Sequence, residues 1–301
     1  MKARVVWVLL AAIWGSTWLF IKLGLRDLPP VGFAATRFVL ASAILLAIVA
    51  ARRRPLPRAG RDWALVFVTG VLAFGLNYGL LFWGEQHISS GLAALLQATI
   101  PAFGLVFAHL HLPGERLTAA RLAGVGLGVT GVGVIFSNQL SVAGEMALWG
   151  CAAIVAGAIF VAYSNVLVKA RGGGLDPALL AAGQMVCGTV PLLAYALAFE
   201  GNPARFNWTP LALVSLLYLT VVGSVVAFLL FYWLVRNMDV TKTMLIALVT
   251  PLFAVLLGML VLGEQLTWRT LAGGALIMSG IALVVLRRMK KTVSGPGPKA
   301  F

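Results

Sequence analysis

The chain has 301 residues, of which 61% are hydrophobic and only 11% charged, with a formal net charge of +14. A soluble domain carries about 25% charged residues, so this composition excludes a water-covered globule, and it is far too apolar for a disordered chain. Two cysteines exclude a disulfide scaffold. The basic balance would suit a nucleic-acid partner only if it lay on one exposed face. Here the cations fall in short segments between apolar runs, and no nucleic-acid partner is expected.

Crossing a bilayer takes about 20 apolar helical residues. Runs of that length lie near residues 5–25, 31–51, 63–84, 88–111, 118–137, 147–169, 177–199, 210–235, 239–262 and 268–287. The first is too long for the apolar region of a signal peptide and is read as a span. The second follows Leu28-Pro29-Pro30. Pro55, Pro57 and a cluster of Arg52, Arg53, Arg54, Arg58 and Arg61 separate it from the third. Asn202-Pro203 and Asn207 punctuate the link between the seventh and eighth. A β-barrel would need segments of about 10 residues with alternating polarity, and these runs are apolar on all sides. The residues after 289 are expected to be a disordered cytoplasmic tail.

With the N-terminus inside the cell, the inner segments hold 18 of the 23 Lys and Arg and the outer loops hold three, Arg26, Arg205 and Arg269. That is a strong positive-inside bias. It predicts a multi-pass membrane protein with both termini cytoplasmic. Lys22 and Arg37 are the two cations within spans. Every Asp and Glu is placed in a connection or at a span end, including Glu85.

The halves repeat. Trp83 precedes Pro101 as Trp233 precedes Pro251, by 18 residues in both cases. Gly114-Glu115-Arg116-Leu117-Thr118 matches Gly263-Glu264-Gln265-Leu266-Thr267. Leu122-Ala123-Gly124 matches Leu271-Ala272-Gly273, and Thr130-Gly131 matches Ser279-Gly280, at an offset of 149 to 150 residues. Five spans per copy is an odd number, so the second copy enters the membrane from the opposite side. The expected fold is all-α: ten transmembrane helices in two inverted five-helix repeats, residues 1–140 and 141–289, around a central cavity. Inverted repeats of this kind are built into many secondary transporters.

These residues carry a family resemblance. Trp14-Gly15-Ser16 with Lys22, Arg37-Phe38, Pro101 with Gly114-Glu115, and Pro251 with Gly263-Glu264 resemble the pattern of the drug/metabolite transporter superfamily, its EamA-type ten-helix exporters in particular. Within that family the chain is most similar to the amino-acid exporters. The resemblance implies a carrier with alternating access and no ATPase domain, whose third, fourth, eighth and ninth spans line the cavity and whose fifth and tenth are scaffold.

Polar groups inside spans are functional candidates. The substrate-binding candidates are Trp14, Ser16 and Trp18 from the first span, Asn77 and Tyr78 from the third, and Gln97 and Thr99 from the fourth. Tyr163 and Asn165 come from the sixth, Gln184 from the seventh, and Tyr232 and Trp233 from the eighth. Uncharged amides, hydroxyls and rings suit a small neutral or zwitterionic solute, with amino acids first and broader drug or metabolite efflux second. Helix packing is the competing use of each aromatic. Pro101 and Pro251 are candidate hinges or static kinks. Lys22 and Arg37 are candidate gating residues. Snorkelling competes for Lys22, and pairing with a carboxylate or helix carbonyl for Arg37. With no acid deep in a span, tight proton coupling is disfavoured. The glycines of the fifth and tenth spans predict close helix packing. No zinc, phosphate-loop or nucleophile-elbow motif is present, so no cofactor is expected and the protein is not read as an enzyme. A lipid-carrier flippase and an intramembrane enzyme are the minor alternatives. The expected partners are a small-molecule solute and the bilayer, with the chain a monomer or weak homodimer.

Overall fold

A computed structural model describes residues 2–52, 56–57, 59–113, 118–142, 144–172, 174–238 and 246–293, with the side chains of 138–142, 232, 235, 236, 248 and 284–293 left out. The described residues form ten helices and no strand. They are α1 (Lys2–Gly24), α2 (Pro30–Ala51), α3 (Gly60–His87), α4 (Ser90–His111) and α5 (Ala119–Val142), then α6 (Glu145–Arg171), α7 (Pro177–Glu200), α8 (210–237), α9 (Ile246–Leu262) and α10 (Trp268–Val293). Eight of them contain a stretch long and apolar enough to cross a bilayer, and α9 and α10 contain shorter apolar stretches. Large apolar side chains remain exposed on the outside of the bundle, Phe199 at 76% and Trp268 at 73%, which is stable only against lipid. α10 runs through Val293, four residues into the segment expected as tail. Residues 294–301, the Gly114–Leu117 half of the repeated motif and the 239–245 stretch lie outside the described residues.

Proline and capping residues start several helices. Pro177 and Pro210 sit in first turns, where a missing N–H costs nothing. Asp176 accepts from the amides of Ala178 and Leu179, and Thr209 Oγ1 accepts from Ala212 N. The N-terminus of α2 has no such cap of its own. Instead Glu200, at the end of α7, accepts from Val31 N at 3.0 Å and Gly32 N at 2.6 Å. α4 has a cap of its own, Ser89 Oγ accepting from Leu92 N at 3.3 Å, and receives a carboxylate as well. Glu264 accepts from Ser90 N at 2.7 Å, Ser90 Oγ at 2.9 Å and Gly91 N at 3.2 Å. A carboxylate on bare N-terminal amides gains both hydrogen bonds and the helix dipole. The Gly-Glu motif is the device that delivers it. Gly263 takes a positive φ of 65°, which turns the chain at the end of α9, and Glu264 N donates back to Gly258 O.

α5 and α10 pack glycine against glycine. A Cβ at Gly131 would lie 2.5 Å from the Gly273 carbonyl oxygen, and one at Gly280 would lie 2.5 Å from that of Gly124. The two helices therefore cross antiparallel, and the repeat-equivalent positions pair crosswise. α1 approaches α9 in the same way at Gly15, where a Cβ would meet Phe253 Cβ at 2.4 Å. α3 approaches α6 at Gly84 and Gly150. α2 packs on α7, and α4 on α6.

The helices are not uniform. α3 winds as a π-helix over Val71–Leu76 and α8 over Tyr218–Val226. The repeat offset superimposes these stretches. α4 is interrupted at Ala98 and Thr99, so that Pro101 stands in the first turn of a second helical segment and not within a continuous helix, as the sequence had led us to expect. Pro251 does lie inside α9.

Candidate functional site

The polar candidates divide into a central group, a group at one end of the bundle and several that go elsewhere. In the centre, α1, α2, α3 and α8 bring together an aromatic cluster with one cation in it. Trp14 meets Phe228 edge-on with centroids 6.3 Å apart and Phe231 at 5.5 Å. Tyr78 contacts Phe38 at 4.7 Å and stacks on Phe74 at 5.8 Å. Ser16 Oγ and Tyr218 OH share a hydrogen bond of 2.6 Å, and Phe20 stacks on the Tyr218 ring.

Arg37 is 3% exposed. Its Nε donates to Ser224 Oγ at 3.2 Å, and its guanidinium carbon lies 5.1 Å from the Phe38 ring centre and 5.4 Å from that of Tyr78. Nη1 has no hydrogen-bond partner. The expected carboxylate or carbonyl is replaced by a hydroxyl and two ring faces. Ring faces hold a desolvated cation but leave hydrogen-bonding capacity unused, so among the described residues the guanidinium has a donor free for a further acceptor. Ser224 Oγ in turn donates to Leu219 O within the π stretch, so the widened helix positions the Arg37 partner.

Next to Tyr78 on α3, Asn77 turns toward α4 and α6. Gln97 Nε2 donates to Asn77 Oδ1 at 2.8 Å, and Asn77 Nδ2 donates to Ala73 O. Gly157 on α6 leaves room for this amide, since a Cβ there would lie 2.8 Å from Oδ1. Gln97 Oε1 has no partner. Thr99 Oγ1 donates to Leu96 O at the α4 break.

The remaining candidates are separate from this centre. Trp18 is core at 8% exposure. Tyr163 packs on Phe107 and His111 between α4 and α6. Gln184 Nε2 donates to Thr69 Oγ1 at 2.8 Å, and Ser164 Oγ donates to Thr69 O, joining α3, α6 and α7. Asn165 is exposed on α6. Trp233 is exposed on α8. The Tyr232 side chain lies outside the described residues.

At the end of the bundle where α1, α3 and α9 finish, Lys22 Nζ donates to Glu85 O and Ile88 O at 2.6 Å each, and to Gln86 O at 3.5 Å. The ammonium thus holds the open carbonyls at the α3 C-terminus, and snorkelling is set aside. Glu85 corrects a second expectation. α3 continues to His87, so this acid lies in its last turn with 0% exposure and no partner for either carboxylate oxygen. A buried acid is present after all, which removes the ground for disfavouring proton coupling. The signal was in the sequence: no breaker follows Trp83-Gly84-Glu85 until Ser89. Above Lys22 lies a cavity of about 250 Å³ lined by Lys22, Leu25, Arg26, Gln86, Leu262 and Glu264. Among the described residues, no three His, Cys, Asp or Glu gather into a metal site.

The sequence matches the EamA-like transporter family twice, over residues 2–137 and 148–286. It is 32% identical over 310 residues to the "Probable terminal-alkyne amino-acid exporter" of Streptantibioticus cattleyicolor, covering 98% of both chains. It is 28% identical over 270 residues to the uncharacterized transporter YoaV of Bacillus subtilis, covering 89% of this chain and 91% of that one. With the uncharacterized inner membrane transporter YedA of Escherichia coli it shares 29% identity over 275 residues, covering 91% of this chain and 87% of YedA. A crystal structure of 21% sequence identity has the same fold, with a TM-score of 0.65 over 96% of this chain and 99% of the other.

Proposed function

The chain belongs to the EamA-like transporter family and is a multi-pass membrane transporter, not an enzyme; from this premise we propose that it is an alternating-access exporter of amino acids with aliphatic or aromatic side chains. The observation that carries the mechanism is the crosswise glycine pairing of α5 and α10. Gly131 lies against Gly273, and Gly280 against Gly124. A two-fold axis in the membrane plane generates this arrangement from two inverted copies, and an axis along the membrane normal does not. The inverted repeats then rock about the α5–α10 scaffold, and solute passes between α1, α2, α3 and α8. The positive-inside bias supports an inner-membrane protein with both termini cytoplasmic.

The site chemistry supports the solute class. Arg37 offers an unused donor to a carboxylate, and the rings of Trp14, Phe74, Tyr78 and Phe228 offer apolar faces to a side chain. The similarity to a protein named as an amino-acid exporter points the same way. The test is efflux of labelled leucine and phenylalanine from proteoliposomes holding the purified protein. Efflux above that of empty liposomes is expected. Retention of both labels, with efflux of an amphiphilic cationic dye, would replace this reading with drug efflux.

A further inference from the structure

Resting on the amino-acid carrier reading, we propose that the cavity at the α1–α3–α9 end is a second solute site, an exit vestibule that holds a zwitterionic amino acid by its carboxylate and its ammonium before release. None of the residues singled out from the sequence as substrate contacts lies in it. Its polar lining is two cations, Lys22 and Arg26, one carboxylate, Glu264, and the Gln86 amide, and its apolar lining is Leu25 and Leu262.

The charges differ in what they are free to do. Lys22 has two short bonds and one long one to the carbonyls of Glu85, Ile88 and Gln86. Its position is therefore fixed, while its charge is balanced by no contacting carboxylate. Arg26 is exposed one helical turn later, in the α1–α2 connection. Bonded Lys22 and exposed Arg26 both line the cavity and offer positive charge to a carboxylate, Arg26 with the forked geometry that suits one. Glu264 is held by three donors at the start of α4. Those bonds orient its oxygens without cancelling its charge, and it lies within electrostatic reach of Lys22. It is the anionic wall of the cavity, available to the solute ammonium. Its neighbour in sequence terms, Asp27 beside Arg26, is turned away and accepts from Thr209 Oγ1 at 2.5 Å. Cations, a carboxylate and two leucine side chains lining one cavity match a zwitterion with an apolar side chain. The volume of about 250 Å³ falls below the roughly 300–1,000 Å³ of pockets that enclose drug-sized ligands.

The experiment measures binding to the purified full chain in detergent by calorimetry, with leucine, leucinamide (no carboxylate) and 4-methylpentanoate (no ammonium) as probes. Wild type, Arg26→Gln, Arg26→Lys and Arg269→Gln are compared, the last removing an exposed cation at the same end but outside the cavity. Leucine is expected to bind about tenfold more tightly than either analogue, the scale of one lost hydrogen bond between charged groups. Arg26→Gln is expected to weaken leucine about tenfold, with Arg26→Lys recovering most of the loss and Arg269→Gln matching wild type. Equal binding of leucine and leucinamide, unchanged binding in Arg26→Gln, an equal loss in Arg269→Gln, or no leucine binding by wild type would each overturn the vestibule. Arg26-dependent, carboxylate-selective binding without any efflux from proteoliposomes would sink the carrier reading and leave the vestibule standing. Leucine efflux without Arg26 dependence or analogue discrimination would do the reverse.

Discussion

Replacing Gly131 with alanine tests the α5–α10 crossing directly. The added Cβ would sit 2.5 Å from Gly273 O, 2.8 Å from Ile277 Cγ1 and 3.1 Å from Ile277 N. Two of these three atoms are backbone and cannot rotate away, so the helices must part by about 1 Å to restore ordinary contact. Overpacking of this kind costs about 1–3 kcal/mol, against which alanine gains about 1 kcal/mol of helix propensity over glycine. The net expectation is a loss of up to about 2 kcal/mol against wild type, and of about 1–3 kcal/mol against an alanine that keeps only the propensity gain. Gly133→Ala is the internal control. It lies two residues along the same helix with nothing within 4 Å of the added atom, so it keeps the propensity gain and loses nothing. Unfolding in mixed detergent, followed by circular dichroism, measures both. Gly131→Ala as stable as Gly133→Ala would refute the close crossing, and with it the geometric support for inverted repeats.

Glu264→Ala removes the acceptor of three α4 donors and is expected to cost about 1–2 kcal/mol, the upper range for a lost cap, in the same assay; no change would mean that water serves those amides equally well. Glu200→Ala should cost a similar amount through α2, and because the two caps share no partner the double variant should lose the sum to within about 0.5 kcal/mol. Lys22→Met should destabilise, since it strips the α3 carbonyls and takes the nearest cation from buried Glu85. Adding Glu85→Gln should recover about 0.5–3 kcal/mol of that loss, and a strictly additive pair would show that the two groups do not interact. Arg37→Met should leave stability unchanged or raise it, because a buried cation without a counter-ion is replaced by an apolar chain, yet lower leucine efflux at least tenfold; full efflux would remove Arg37 from the solute path.

Much of the architecture was legible because the bilayer imposes so few solutions. Span length and short polar connections were enough to expect ten helices, and the Gly124, Gly131, Gly273 and Gly280 anchors lined up positions that prove to touch. The site was read less well, because inward and outward faces look alike when lipid and protein interior are equally apolar. Asn77 and Gln97, both picked for their amides, do bond to each other. Tyr218 and Ser224, which position Ser16 and Arg37, were passed over because a hydroxyl in a run of valine and leucine carries no periodic signal. Asn165, picked for its amide, and Trp233, picked as a ring on an expected cavity-lining span, are both exposed. Glu85 was misplaced by three residues of boundary error, enough to move a carboxylate from loop to buried helix end. The π stretches of α3 and α8 have no sequence signature of their own.

The carboxylates of Glu200 and Glu264 have a consequence for how the protein is made. Both come from the later-synthesised half, and both serve helix starts belonging to the earlier one. While the nascent chain is being threaded into lipid, α2 and α4 must wait without these acceptors, α4 with only its Ser89 cap, until more than a hundred further residues have left the ribosome. An isolated amino-terminal fragment would never receive them. Supplying the missing half as a separate polypeptide should rescue it, much as a split gene product is complemented in trans.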